Sequence, residues 1–465
     1  MEVAPAVKQP AEQNTTSSEA IPVLSSDAPL AEIPIAAPQR PPVIIFVEPT
    51  QRPNQNAVAG VTFDFNFGCR IELEADPFGA LWTIRLKDLE TGVTLVDSQI
   101  AQGTIHSTKK YYIPFCIEVF QREKLVFSHD LNLRDKKVLV QMPVGTLGDT
   151  LGWFPYVDQF QKKHGCELTC SMSQVTIDLL EDAYPNVTFA PMDNIDTSQF
   201  YATYRLGLFF DDWGCTHQPV DFRYAGLHKT AAYILGVEPV DIPASLNLGE
   251  NPRSITEPYV CIAVQSSTLC KYWNHPGGWI AIVKWLKSLG YRVLCIDKDS
   301  THAAGFVQTS IPHGAEDFTG NLPLKDRARL LAHAEFFVGV SSGLAWLAYA
   351  AGTPVVMISG FTHPLNEFYT PYRVINYHTC NSCWNDPRQM FDHHDFFWCP
   401  RHKGTDRQFE CSRLITIDHV KRVIEKMPSV ARRLGACGAT QVSDLDPTSS
   451  HAWEQKNLVV NTHPN

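Results

Sequence analysis

The chain has no run of about 20 apolar residues, the length a helix needs to cross a hydrocarbon core, so no membrane insertion is expected. It also has no excess of basic residues: 39 Lys and Arg stand against 49 Asp and Glu, for a formal net charge of -10 at pH 7. Such a surface offers no basic face to neutralise a phosphate backbone, so no nucleic-acid partner is expected and an anionic ligand needs a local pocket. The N-terminus lacks the basic-then-apolar pattern of a secretory signal. The 13 cysteines are an odd number, and several, Cys261 and Cys295 among them, fall in hydrophobic strand-like runs, which reads as a reducing, cytoplasmic protein. What is present is 465 residues with 44% hydrophobic content, enough for two or three domains that each bury a core.

Four of the cysteines stand apart from the rest. Cys380, Cys383, Cys399 and Cys411 follow the spacing C-x2-C-x15-C-x11-C in a polar and aromatic stretch with too few regularly spaced apolar residues for a core of its own. A metal held by four thiolates would supply the missing cross-links. The spacing suits zinc or iron, and His393, His394 and His402 are possible substitutes for one cysteine. Buried thiols or two disulfides are the alternatives.

Residues 1–40 are dominated by Pro, Ala, Ser, Thr and Glu without periodicity, the composition of a disordered arm. From 41 to 134 apolar residues alternate with period two, as at Val61, Phe63 and Phe65 and again at Trp82, Ile84 and Leu86, which predicts an all-β domain of accessory or oligomerising character. The rhythm then changes. Residues 135–255 and 256–375 read as two successive α/β series with parallel sheets, so the fold class is α/β with two facing doubly wound, Rossmann-like domains. The cysteine segment occupies 376–415, a helix 416–434 and a flexible tail 435–465.

Ligands of doubly wound domains bind beyond the carboxyl ends of the strands, which directs attention to four loops. The loop after the strand ending at Met142 places Asp149 near the start of a helix, where the dipole would keep a carboxylate ionised to accept a proton; a plain capping aspartate is the simpler reading. The loop after Val264 gathers Ser266, Ser267, Thr268 and Lys271, hydroxyls and an ammonium suited to phosphate oxygens. Ser341, Ser342 and Gly343 open a helix whose free amides suit an anion. Asp297 ends a strand and could accept from ribose hydroxyls, while Asp297-Lys298-Asp299 is a weak candidate for a metal-binding D-x-D. Between the α/β series, 205–236 is rich in aromatic and polar residues. His228 and Lys229 are its preferred ligand-facing pair, ahead of Asp211, Asp212, His217, Asp221 and Arg223, although ordinary bridging structure explains the stretch as well.

The stretches GTLGDTLGWFPYVDQF, Ser-Ser-x-x-x-Lys-x-Trp-x-x-Pro from Ser266, GVSSGLAWLAYAAGTPVV and the cysteine segment, in that order, resemble the bacterial autotransporter heptosyltransferases. These are relatives of the ADP-heptose:lipopolysaccharide heptosyltransferases of the GT-B class. The likeness runs from about residue 135 to about 430, and 41–134 resembles the family's N-terminal β-barrel. It implies a GT-B enzyme moving heptose from ADP-heptose to serine hydroxyls of an autotransporter passenger domain. Gly148-Asp149 matches the motif whose Asp is the base, and Ser266, Ser267 and Lys271 match the loop that grips the nucleotide diphosphate. Thr146, Leu147, Gly148 and Thr150 flank that base and are expected to line the substrate. The family's D-T-G loop is here Ser341-Ser342-Gly343, which removes a carboxylate beside the donor. The resemblance further implies a structural iron (Fe3+), one per subunit, where spacing alone favours zinc, and a homo-oligomer of high order. No catalytic metal is expected. A lipopolysaccharide core heptosyltransferase and a non-catalytic nucleotide-binding assembly module are the competing functions.

Overall fold

The computed structural model describes residues 46–143, 146–192, 195–304 and 307–442. Period-two runs separated by turns give β1 (Val61–Asn66), β2 (Arg70–Leu73), β3 (Trp82–Asp88), β4 (Thr94–Ile100), β5 (Gly103–His106), β6 (Phe115–Gln121) and β7 (Lys124–Asp130). Four of them form an antiparallel sheet in the order β4-β3-β6-β7, with Trp82, Ile84, Leu86, Ile117 and Val119 buried on its inner face. The other three leave this β region and join the first α/β sheet. Strand β1 pairs in parallel with Ala202–Arg205, Ala202 lying opposite Phe65. Strands β2 and β5 follow it antiparallel. The expected self-contained β unit over 41–134 is thus divided between two sheets.

The physical reason lies in β1, whose Phe63, Asp64, Phe65 and Asn66 are all buried. Alternation cannot bury a strand on both faces unless its polar side chains find partners inside. They do: Asp64 accepts a forked pair from Arg70 at 2.8 and 2.5 Å, and Asn66 donates to the Phe200 carbonyl at 2.8 Å and accepts from the Thr203 hydroxyl at 2.8 Å.

The first α/β sheet is built on β8 (Lys137–Gln141), α1 (Leu147–His164), β9 (Glu167–Met172), β10 (Val187–Pro191) and β11 (Ala202–Arg205), in the order β10-β9-β8-β11-β1-β2-β5. Thr146 caps the start of α1 and Gly165, at φ 63°, its end, with Lys162 and Lys163 placed in the last turn where the dipole favours cations. Helix α2 (Leu227–Leu235) follows. The second series comprises β12 (Tyr259–Ala263), α3 (Gly278–Ser288), β13 (Arg292–Cys295), β14 (Glu316–Asp317), α4 (Leu324–Ala332), β15 (Phe337–Val340), α5 (Gly343–Ala350), β16 (Val355–Ile358) and β17 (Arg373–Val374). Its order β14-β13-β12-β15-β16-β17 is parallel throughout. In each sheet the strand order reverses beside the first strand, at β8/β11 and at β12/β15, the place where doubly wound folds bind ligands. Helices α1 and α5 begin at these two reversals.

Two helices end the described chain, α6 (Ile417–Ile424) and α7 (Pro428–Val442), where one helix over 416–434 was expected. Pro428 explains the break, since proline suits a first helical turn and in a helix interior removes a backbone hydrogen bond and clashes with the preceding turn. Residues 435–442, expected in the flexible tail, continue α7. The expected arm over 1–40 and the tail from 443 onward lie outside the described residues.

Candidate active site and metal centre

Asp149 is the third residue of α1, with Thr146 as the cap: the Asp149 amide donates to Thr146 Oγ1 at 3.4 Å and the Thr146 hydroxyl donates back to the Asp149 carboxylate. The plain capping reading of Asp149 therefore belongs to Thr146. Thr150 donates to the Thr146 carbonyl at 3.1 Å, which closes the first turn. Asp149 is only 7% exposed. Burial raises its carboxyl above the ordinary 3.8, opposed by the Thr146 hydrogen bond and by the charge of Lys271. Burial thus outweighs the groups that favour the ionised form and raises the proton affinity of this carboxyl.

Helix α5 closes on α1 from the other domain. A Cβ on Gly148 would meet Trp346 Cδ1 at 3.1 Å, and one on Gly343 would meet Leu147 Cβ at 2.8 Å, so only glycine lets the two helix starts come this close. Trp346 also stacks edge-on to His228 with ring centroids 5.4 Å apart. His228 is buried and its Nε2 lies 2.6 Å from Asp241 Oδ1, while Nδ1 is buried without a partner. Its hydrogen bond is the main cause that pushes the Asp241 carboxyl down to about 2. Lys229, a third exposed, stands 3.4 Å from the same carboxylate. His228 is therefore brought to the α1/α5 junction, whereas Lys229 is placed only against Asp241. Their neighbours in the bridging segment serve structure: Asp212 accepts from the amides of Thr216, His217 and Gln218, and Asp221 pairs with Arg223 at 2.6 Å.

The loop after β12 carries Ser266, half-buried, and Ser267, exposed, into a short 3-10 turn over Leu269–Lys271. Lys271 reaches toward both domains. Its charge acts on Asp149, its Nζ lies 5.9 Å from the Phe361 ring centroid, and it lowers the His393 imidazole, already depressed by burial. Asp297 does not face open space. It is buried, and its carboxylate accepts from the amides of Val264 at 2.8 Å and Gln265 at 3.2 Å, so it acts as a strut under the loop and not as a free ribose acceptor or half of a D-x-D.

At the start of α5, Ser341 donates to Glu367 at 2.5 Å, and Glu367 pairs with Arg373 at 2.6 Å. Burial opposes ionisation of Glu367, but Arg373 and the Ser341 hydroxyl hold its carboxyl below the usual range. A carboxylate therefore stands against Ser341, supplied from 26 residues downstream and already paired with Arg373. No local pattern in the sequence marks Glu367, and none marks Trp346. Ser342 Oγ, beside the α5 amides, is buried with no hydrogen-bond partner.

The cysteine segment differs from the coreless finger expected. Trp384, Trp398 and Phe409 pack with Phe361 and with Phe222 of the bridging segment into an aromatic cluster shared with the rest of the molecule. All four of Cys380, Cys383, Cys399 and Cys411 are free thiols, which excludes the disulfide alternative, and they line a cavity of about 10 Å³. Burial raises the Cys383 thiol to about 12, so thiolates here require a cation. Cys380, His402 and Glu410 also offer three ligand atoms within 4.8 Å of one another. Glu410 is already taken, accepting from the Cys380 amide at 3.0 Å and from Arg407 at 2.6 Å, and among soft metals four sulfurs form the better set. The four thiols line one cavity whose chemistry suits a soft metal, although among the described residues the trio of Cys380, His402 and Glu410 is the group drawn within 4.8 Å; Arg401 donates to Cys380 Sγ at 3.6 Å.

Two Rossmann-like halves meeting at paired strand-order reversals, with a buried carboxylate facing a lysine-bearing loop, define a GT-B glycosyltransferase. Residues 58–123 match the model of the glycosyltransferase TibC N-terminal domain, and 237–392 match glycosyltransferase family 9 (heptosyltransferase). The chain is 51% identical to the autotransporter heptosyltransferase TibC of Escherichia coli O78:H11 over 82% of its length and 93% of the relative. It is 43% identical to BimC of Burkholderia thailandensis, described as an inactive autotransporter heptosyltransferase, over 90% of its length and 99% of the relative. The structure of dodecameric, iron-containing TibC in complex with ADP-D-beta-D-heptose superposes with a TM-score of 0.78 at 50% identity, covering 82% of this chain and 99% of that one. The chain belongs to the autotransporter heptosyltransferases.

Proposed function

We propose that the protein transfers heptose from ADP-heptose to serine hydroxyls of an autotransporter passenger domain, with inversion at the anomeric carbon. The observation that carries this reading is the buried Asp149 at the closed start of α1, within the electrostatic reach of Lys271 from the loop after β12. A serine hydroxyl is a weak nucleophile. A base within about 3 Å of it, held in a rigid wall, supplies both proton acceptance and orientation. Asp149 takes the serine proton; its raised affinity for protons makes it a stronger base than an exposed carboxylate. As the glycosidic bond breaks, negative charge grows on the diphosphate. Lys271, Ser266, Ser267, the unpartnered Ser342 hydroxyl and the α5 amides at Ser342 and Gly343 stabilise it. Leu147, Gly148, Trp346, His228 and Lys229 shape the wall around the transfer site.

Cys380, Cys383, Cys399 and Cys411 would hold one structural iron per subunit, in keeping with the iron-containing TibC. When bound, the metal cross-links the segment; four thiolates leave it no open position. The dodecameric state of TibC supports a high-order homo-oligomer for this chain as well. Among the described residues no helix is long and apolar enough to cross a membrane.

Because one relative is described as inactive, turnover itself is the deciding test. ADP release is followed with ADP-heptose plus either purified passenger domain or lipopolysaccharide core acceptor. Release that depends on the passenger supports the reading. Release with the core sugar alone moves the function to lipopolysaccharide, and tight ADP binding without release under either condition moves it to a non-catalytic module.

A further inference from the structure

The cavity inside the cysteine segment has a fifth sulfur. Besides the four expected ligands it is lined by Cys270, which comes from the loop after β12 and immediately precedes Lys271. Cys270 is 4% exposed, its Sγ lies 3.1 Å from Thr268 Oγ1, and it shares the cavity lining with Cys399 and Cys411. Three further bonds fasten the same loop to the cysteine segment and its exit. The Leu269 amide donates to the Phe396 carbonyl at 2.9 Å, Asn274 Nδ2 donates to Ser412 Oγ at 2.9 Å beside Cys411, and Trp273 Nε1 donates to the Ile415 carbonyl at 2.8 Å. Phe361, which lies under the Lys271 amine, lines the cavity too.

We propose that Cys270 is a positioning residue that links metal occupancy of the cysteine segment to the grip of Lys271 on the donor diphosphate. The inference rests on the donor-loop reading given under the proposed function. Four thiolates complete a tetrahedral site, so the fifth sulfur is not needed as a ligand and packs as a small hydrophobe against the metal cluster. The loop from 266 to 274 has only one short 3-10 turn of its own, so its shape is set by what it leans on. With metal in place the sulfurs are fixed, Cys270 has a rigid seat, and Lys271 is aimed. Without it, the four thiols are free to repack into the cavity and the turn loses its support. Linkage makes the effect reciprocal: a nucleotide that selects the aimed loop also holds the metal more firmly.

The experiment uses metal-loaded wild type and Cys270→Ala. ADP affinity is measured by calorimetry, and metal retention at equilibrium against graded EDTA is followed as the metal content of desalted protein with and without saturating ADP. In wild type ADP raises by about tenfold the EDTA concentration that removes half of the metal, within the usual range of couplings. Cys270→Ala retains a full metal complement, binds ADP about tenfold more weakly, and loses the protection of metal by ADP. Wild-type stripping that ignores bound ADP overturns the proposal without requiring any variant to fold. So does Cys270→Ala protein that binds ADP as wild type does, or that purifies without metal, which would make Cys270 a ligand. Wild type that binds no ADP at all instead refutes the donor-site reading beneath it.

Discussion

The contact between α1 and α5 sets the tightest geometric demand in the molecule, and Gly343→Ala tests it. The new Cβ would stand 2.8 Å from Leu147 Cβ and 3.2 Å from the Gly148 amide nitrogen, backbone and near-backbone atoms that cannot rotate away. Carbons rest at about 3.5–4.0 Å, so the helix starts must separate by roughly 0.7 Å or more. Gly343 does not have a positive φ, so the penalty is steric alone. Overpacking of this kind costs about 1–3 kcal/mol. Imposed on the closed cleft that holds the donor, that is about a 5- to 150-fold loss of ADP affinity or of kcat/KM. Calorimetry with ADP and steady-state turnover read it directly. The matched control is Gly435→Ala in α7, where an added methyl meets nothing within 4 Å. It is expected to add about 0.5–1 kcal/mol of stability through helix propensity, with ADP affinity unchanged. Gly343→Ala protein with wild-type affinity and wild-type turnover would refute the claim that the active cleft requires this approach.

The pH dependence follows from the burial of Asp149. The base works ionised, so kcat/KM falls as pH drops through its raised value, and Lys271→Met, which removes a charge that lowers that value, moves the acid limb to higher pH. For stability, the contribution of this carboxyl is present below its ordinary 3.8 and is lost as pH rises through the raised folded value, a slope that Asp149→Asn abolishes. An acid limb at or below the ordinary carboxylate range contradicts the assignment. Glu367→Gln leaves the Arg373 guanidinium buried without its counter-charge and costs about 3–5 kcal/mol, read from the urea midpoint; an unchanged midpoint shows that the pair is not closed. Cys380→Ser lowers metal content together with thermal stability or assembly; a variant that keeps its full metal complement removes Cys380 from the ligand set.

The parts of the molecule legible in the sequence are those governed by local pattern. Strands β12, β13, β15 and β16 and helices α3 to α5 follow from short apolar runs, periodic faces and glycine stops, whereas the two-residue β14 and β17 do not. Asp149, Lys271 and the cysteines are marked by loop position and spacing. What pattern could not supply is contact between distant segments. Strand β1 alternates like any β-region strand, and only the buried Asp64–Arg70 and Asn66–Thr203 pairs reveal that it belongs to the α/β sheet. Glu367 and Trp346 act through partners far along the chain, and Cys270 resembles the other core cysteines until the cavity brings it beside the cluster. The aromatic cluster around Trp384 and Trp398 has no helical or strand period, so its capacity to form a core was invisible as well.

The central claim is transfer of heptose to protein by a base at Asp149, and intact-mass measurement of the passenger domain tests it most directly. Wild-type protein with ADP-heptose should add one or more heptosyl residues to the passenger. Asp149→Asn, shown by circular dichroism to be folded and by calorimetry to bind ADP, should slow that addition by about 10²–10⁴-fold. A passenger whose mass is unchanged by the wild-type protein, or is increased as rapidly by Asp149→Asn, contradicts the account.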